Sequence, residues 1–187
     1  MRSILPLFLF SLANSGPAIA AEWVPVAPFR SVDLRGGGEV VLTRGPVQRV
    51  TLIEGSTRFT RLRVDGQRRL RIEACNRQCP RNYRLRIQIQ SPTVPDAAVT
   101  GGGAIRAAGG FAAQHQISAA ITGGGKIDIR SVEARDVSAA ITGGGQILVR
   151  PRLSLSAAIM GGGEIRYSGN PRVSSAIHGG GIVRPGT

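Results

Sequence analysis

Residues able to do chemistry are few in this chain, and they stand apart. There are two histidines, His115 and His178, one close pair of cysteines, Cys75 and Cys79, and eleven carboxylates that occur singly. A nucleophile, acid or base works only beside partners, and no such constellation forms. Ser118, Ser138, Ser156 and Ser174 recur at the same place in a repeated segment. Recurrence of that kind predicts a ladder of hydroxyls along a stack, not one activated serine. His178 falls in the column of Thr100, Thr122, Thr142 and Met160, so both histidines read as surface residues. The cysteines lie in Ala74-Cys75-Asn76-Arg77-Gln78-Cys79-Pro80. An even pair this close, in an oxidising compartment, predicts one disulfide across a short loop. A metal would need two further ligands, and the histidines are remote in sequence. No metal site, cofactor or catalytic residue is therefore expected, and the chain reads as a non-enzyme.

Charge is the stronger signal. The formal net charge is +13, carried by arginine except for Lys126. Between Arg44 and Gln90 twelve arginines face only Glu54, Asp65 and Glu73. They alternate with apolar residues in Arg61-Leu62-Arg63-Val64, Arg69-Leu70-Arg71-Ile72 and Arg84-Leu85-Arg86-Ile87. A period of two predicts strands with one buried face and one arginine-lined face. Asp65-Gly66 marks a hairpin turn between the first two. A solvated sheet face is the ordinary role for such a pattern. The sharper reading makes Arg61, Arg63, Arg69, Arg71, Arg84 and Arg86 a face for an anionic ligand, such as acidic polysaccharide, lipopolysaccharide or phospholipid headgroups. Nucleic acid is not expected, because Trp23, Tyr83 and Tyr167 stand too far apart to form a stacking platform.

The elements that must hold these residues announce themselves as repeats. Ser-Ala-Ala-Ile-Thr-Gly-Gly-Gly at Ser118 returns at Ser138 and, with Met for Thr, at Ser156. Worn copies surround Gly101 and Gly179, and the triplet starts are 22, 20, 18 and 18 residues apart. A period near twenty with short apolar runs signals stacked coils. Val99, Ile121, Ile141, Ile159 and Ile177 align before the glycines, and Ile105, Ile127, Ile147, Ile165 and Val183 after them. Stacked at the ~4.8 Å strand spacing, these columns become a continuous core. Each triplet then reads as a corner or bulge where backbones approach closely. The expected fold is all-β, a right-handed β-solenoid or β-helix-like stack of short strands with Gly-Gly-Gly corners. Residues 107–114 hold the one candidate helical turn, interrupted by Gly109-Gly110.

Two motifs that resemble ligand loops fail on inspection. In Gly123-Gly124-Gly125-Lys126-Ile127-Asp128, Lys126 stands where a calcium β-roll needs a further glycine. The triplets also lead into strands, not helix N-termini, so they are not phosphate loops.

Residues 1–20 carry one positive charge, a short apolar run and Ala18-Ile19-Ala20 at the end, the pattern of a secretory signal peptide. The run is too short to cross a bilayer, and no other stretch could. The mature chain is expected to be exported: periplasmic, outer-membrane-associated or extracellular. Residues 21–95 form an arginine-rich β part and 96–187 the glycine-repeat coils of the same domain. The segment Ser91-Pro92-Thr93-Val94-Pro95 punctuates them, although Gly36-Gly37-Gly38 upstream suggests a shared geometry.

The order Phe29-Arg30-Ser31-Val32-Asp33-Leu34, Val40-Val41-Leu42-Thr43-Arg44-Gly45, Leu70-Arg71-Ile72 and Leu85-Arg86-Ile87-Gln88-Ile89-Gln90-Ser91-Pro92, followed by glycine-punctuated coils, resembles a bacterial family. That family is labelled putative auto-transporter adhesin head, or head GIN domain. The resemblance runs from Ala27 to the C-terminus, with Gly-Gly-Gly where the family often has Gly-Ser-Gly. It implies a right-handed β-solenoid in the cell envelope and no catalytic residues. Three functions follow as expectations. The first is a non-enzymatic envelope protein with a surface or adhesin-like role. The second is a module that binds anionic glycan or lipid through the arginine face. The third is a polysaccharide-acting enzyme, which lacks the basic residue and acid cluster it would need.

Overall fold

The structure, a computed structural model, describes residues 21–76 and 78–186; the expected signal peptide at 1–20 lies outside them. Fifteen strands join in one curled mixed sheet, with no helix among the described residues. In the arginine-rich part the strands are β1 (Glu22–Val24), β2 (Ser31–Gly36), β3 (Glu39–Arg44), β4 (Arg49–Glu54), β5 (Arg61–Val64), β6 (Arg69–Glu73) and β7 (Arg86–Ser91). The repeats supply β8 (Asp96–Gly101), β9 (Ala104–Ala107), β10 (Gln114–Gly123), β11 (Lys126–Gly143), β12 (Gln146–Met160), β13 (Glu164–Tyr167), β14 (Arg172–His178) and β15 (Ile182–Pro185).

The repeats pair as their alignment predicts. In the leading ladder, made of segments before the glycines, Val99, Ile121, Ile141, Ile159 and Ile177 are successive parallel partners. In the trailing ladder, after the glycines, Ile105, Ile127, Ile147, Ile165 and Val183 are partners in the same way. Residues of like kind meet because any other register would turn the isoleucines to solvent. Ile121, Ile127, Ile141, Ile147, Ile159 and Ile165 are all at most 2% exposed, and full burial of such a side chain stabilises by about 1.5–3 kcal/mol. The columns do not stay dry to the end. Ile177 is 40% exposed, because β14 pairs with β12 alone and nothing covers its other side among the described residues.

The glycines have separable reasons. Gly143 has φ +120°, and a Cβ there would stand 2.6 Å from the Gly123 carbonyl oxygen. Gly145 would drive a Cβ to 2.6 Å from Ile121 Cγ2, whereas Gly144 between them has open space. The pattern recurs at the neighbouring triplets, so the outer two glycines are sterically required and the middle one is not.

Chain order and spatial order part in the arginine-rich half. β2 joins the leading ladder beside β8, and β3 joins the trailing ladder beside β9. Gly36-Gly37-Gly38 links them in the way of the later triplets: the Gly102 amide donates to the Gly36 carbonyl at 3.0 Å and Ala104 to Gly38 at 2.9 Å. β6 and β7 lie on the far side of this pair, parallel to it. Antiparallel strands then close that end, β5 on β6, β4 on β7 and β1 on β4. Pairing therefore crosses the Ser91–Pro95 punctuation.

Two details depart from the sequence reading. The longest strands lie in the repeats, because β11 and β12 each run on from the trailing ladder into the next leading segment. Residues 107–114 form no helical turn: β9 ends at Ala107, Gly110 takes φ +94°, and β10 begins at Gln114.

Candidate functional site

The arginines predicted as a face are divided by the topology. Arg61 and Arg63 lie on β5 and Arg69 and Arg71 on β6, joined through the Asp65 turn. Asp65 accepts the amides of Gln67 at 3.0 Å and Arg69 at 3.1 Å, an Asx-type turn. Partial burial pushes its carboxyl up, but those two bonds and the charges of Arg71 and Arg69 outweigh it and hold it below the usual range. Arg86 opens β7, with Arg84 just before it, in the other ladder. The six thus lie on two ladders of the one sheet, all alternating with core-facing residues, and flank the closed end from either side.

They also differ in how far their charge is neutralised. Arg63 pairs with Glu73 at 3.5 Å, Arg71 with Asp65 at 3.1 Å and Arg86 with Glu39 at 3.3 Å. Arg61, Arg69 and Arg84 have no carboxylate within ion-pair distance among the described residues, and nor do Arg49, Arg58, Arg68 and Arg81. In the repeats the balance reverses. Asp128 holds Arg130 at 2.8 Å, Glu133 holds Arg150 at 2.8 Å, and Glu164 holds both Arg166 and Arg184. The Arg166 contact, with help from Gln146 and Arg184 and against the opposing effect of burial, draws the Glu164 carboxyl down to about 2. Arg152 and Arg172 alone lack such a partner there among the described residues. Uncompensated positive charge is concentrated at the closed end.

A cleft of about 860 Å³ opens at this end. Its lining includes Val24 of β1, Arg61 and Leu62 of β5, and Arg58, Phe59 and Asn76 from the intervening loops. β1 and β5 are the two terminal strands of the sheet path, so the cleft is where its two free edges approach. The loop carrying Arg58 and Phe59 is fixed by Tyr83, whose hydroxyl accepts the Ser56 amide at 2.9 Å and lies 2.6 Å from Thr60 Oγ1. Phe59 meets the Tyr83 ring edge-on, centroids 5.5 Å apart, and the Arg58 guanidinium lies 5.5 Å from the Phe59 centroid. From the other side, the Asn76 amide donates to the Phe59 carbonyl at 3.0 Å. Asn76 belongs to the loop that the Cys75–Cys79 disulfide closes. Side-chain oxygen Oδ1 of Asn76 is buried without a hydrogen-bond partner among the described residues.

The roles of Arg58, Phe59, Asn76 and Tyr83 were not legible in the sequence, because a network joining two loops far apart in the chain has no period. The one available hint was Tyr83, an aromatic in an aromatic-poor chain just after the cysteine loop. The serine ladder also needs correction. Ser118, Ser138, Ser156 and Ser174 do stand in register. However, the side-chain hydrogen bond made in that row runs from the Ser118 amide to Asp96 at 2.8 Å, not from serine to serine. Both histidines are exposed, and no group of three metal-binding side chains occurs among the described residues. No helix there is long and apolar enough to cross a membrane.

Residues 96–171 match the family model described as "Putative auto-transporter adhesin, head GIN domain". This is the family the sequence resembles, but the match is narrower than the resemblance: the cleft and the unpaired arginines lie upstream of the matched head GIN segment. A solved putative adhesin from Bacteroides fragilis NCTC 9343 is 19% identical, with 89% of this chain and 96% of that one covered and a TM-score of 0.55, a likeness of fold. A putative cell adhesion protein from Clostridium sporogenes ATCC 15579 is 11% identical over 89% and 97% of the two chains, TM-score 0.41. A putative lipid binding protein from Parabacteroides distasonis ATCC 8503 is 17% identical over 90% and 96%, TM-score 0.37. Those two are too distant to bear on this chain. No curated protein matches it.

Proposed function

We propose that the chain is an exported, non-enzymatic cell-envelope protein with an adhesin-like role. A right-handed β-solenoid with glycine corners holds out its closed, cationic end as a binding surface for anionic glycan or lipid headgroups. One observation carries the reading. Arginines along the repeats mostly have carboxylate partners, while seven at the closed end, Arg49, Arg58, Arg61, Arg68, Arg69, Arg81 and Arg84, have none among the described residues. An arginine whose charge is already neutralised attracts little, whereas a cluster of uncompensated ones raises the local concentration of anions. In-register ladders and touching glycine backbones support the solenoid. The leader pattern and the disulfide support export. The absence of any constellation of nucleophile, acid and base supports a role in binding.

The test compares two charge reversals of equal size. Arg49, Arg68, Arg81 and Arg84 changed to glutamate alter the closed end outside the cleft. Arg135, Arg152, Arg172 and Arg184 changed to glutamate alter the repeats. Binding to lipopolysaccharide and to phosphatidylglycerol vesicles should fall with salt, since exposed charges are screened beyond ~8 Å at physiological ionic strength. The first set should abolish it and the second should reduce it only slightly. Equal losses from both sets would make the attraction a diffuse property of a basic protein and overturn the reading.

A further inference from the structure

The cleft between β1 and β5 differs from a merely cationic surface. It combines two arginines, Arg58 and Arg61, that have no carboxylate partner among the described residues with the apolar side chains of Val24, Phe59 and Leu62. Its walls are also built in advance. Tyr83 holds the loop of Arg58 and Phe59, and Asn76 ties that loop to the disulfide loop. A pocket held in place by its own hydrogen bonds loses little entropy on binding. Gly55, which starts the loop at φ +121°, lies so close to Tyr83 that a Cβ would stand 2.9 Å from the phenol oxygen. The glycine and the tyrosine therefore belong to one arrangement.

We infer that this cleft is a binding site for an acidic sugar, one anionic unit of an extended saccharide. The proposal rests on the reading of the closed end as a binding surface and narrows it to a place and a ligand class. Arg58 and Arg61 supply planar, permanently charged donors that suit a carboxylate or phosphate group. Phe59, Leu62 and Val24 offer an apolar surface to the carbon face of a pyranose ring. Asn76 backs the cleft through its backbone amide bond to the Phe59 carbonyl, which holds the arginine loop in place for the ligand. A fatty acyl chain would cover the apolar side chains but leave Arg58 and Arg61 unpaired. A bare inorganic anion would satisfy the arginines but leave the apolar side chains uncovered. The cleft is open at the surface between two strand edges, so the saccharide can continue beyond the bound unit.

The test uses the oxidised mature protein with oligogalacturonate, a uronate probe, and with phosphatidylglycerol vesicles as the lipid arm. The double variant Arg58→Gln/Arg61→Gln is compared with Arg81→Gln/Arg84→Gln, which removes the same charge from the same end without touching the cleft. The cleft pair should weaken oligogalacturonate binding by about tenfold or more, and the control pair by less than about threefold. Phe59→Ala should weaken it too, at unchanged net charge and unchanged salt dependence, which a purely electrostatic surface would not show. Melting temperatures of all variants check that the fold is intact. Equal losses from the two doubles would overturn the cleft while leaving the closed-end reading in place. Vesicle binding without oligogalacturonate binding would overturn the sugar assignment. Failure to bind either probe would overturn both.

Discussion

At the scale of single residues, the glycine triplets make the sharpest claim. Gly143→Ala places a Cβ at positive φ and against the Gly123 backbone. The conformation alone costs about 1–2 kcal/mol, and backbone overlap adds to it, so a loss above about 2 kcal/mol is expected in chemical denaturation. Gly144→Ala meets open space, and the stiffer unfolded chain should leave stability unchanged or raised by about 0.4–1 kcal/mol. Similar losses from both would mean the triplets are not held as described. A second residue-scale prediction concerns acid. The Glu164 carboxyl lies at about 2, below its ordinary value of 4.5, chiefly through Arg166. A depressed carboxylate contributes stability above its unfolded value, and that contribution is lost as pH falls from about 4.5 towards 2. The melting temperature of the wild type should therefore drop through this window more steeply than that of Glu164→Gln. Its arginine partners could have been found in part by spacing. Asp128 and Arg130, and Glu164 and Arg166, are two apart and share a strand face.

Elements owe their stability to position within the stack as much as to sequence. Ile141 is enclosed between Ile121 and Ile159 and is 1% exposed. Ile141→Ala should cost about 2–4 kcal/mol. Ile177 occupies the same column but is 40% exposed on the outermost strand, so Ile177→Ala should cost less than half as much. Denaturation curves for the pair check this, and equal costs would contradict the uncovered last strand. The repeats made these columns legible, because identical residues at a steady period can bury themselves only by parallel, in-register pairing. The upstream half was harder to read. Its strands alternate well enough to be recognised as strands. Yet no local feature shows that β2 and β3 insert between β6–β7 and β8–β9, because that order depends on long-range pairing.

Viewed as a whole molecule, the protein has two unlike ends and a middle whose arginines are mostly paired with carboxylates. One end is closed by antiparallel strands and bears the uncompensated arginines and the cleft. At the other, β14 and β15 expose Val173, Ile177 and Ile182. The charge excess was plain in the sequence, but its division was not. Arg86 and Arg106 both reach Glu39 only because β7, β3 and β9 are neighbours in space. The cleft was illegible for the same reason, since Val24, Phe59, Leu62 and Asn76 come from separate segments with no common motif. In the proposed function, ligand binds at the closed end and the repeats serve as its support. Amide chemical-shift mapping of the isotope-labelled protein during titration with oligogalacturonate tests this most directly. Binding in the cleft should perturb amides clustered in Glu22–Val24, Arg58–Leu62 and around Asn76 and leave the repeat strands β10–β14 unchanged. Perturbations centred on the Ser118, Ser138 and Ser156 segments, with the closed end silent, would contradict it.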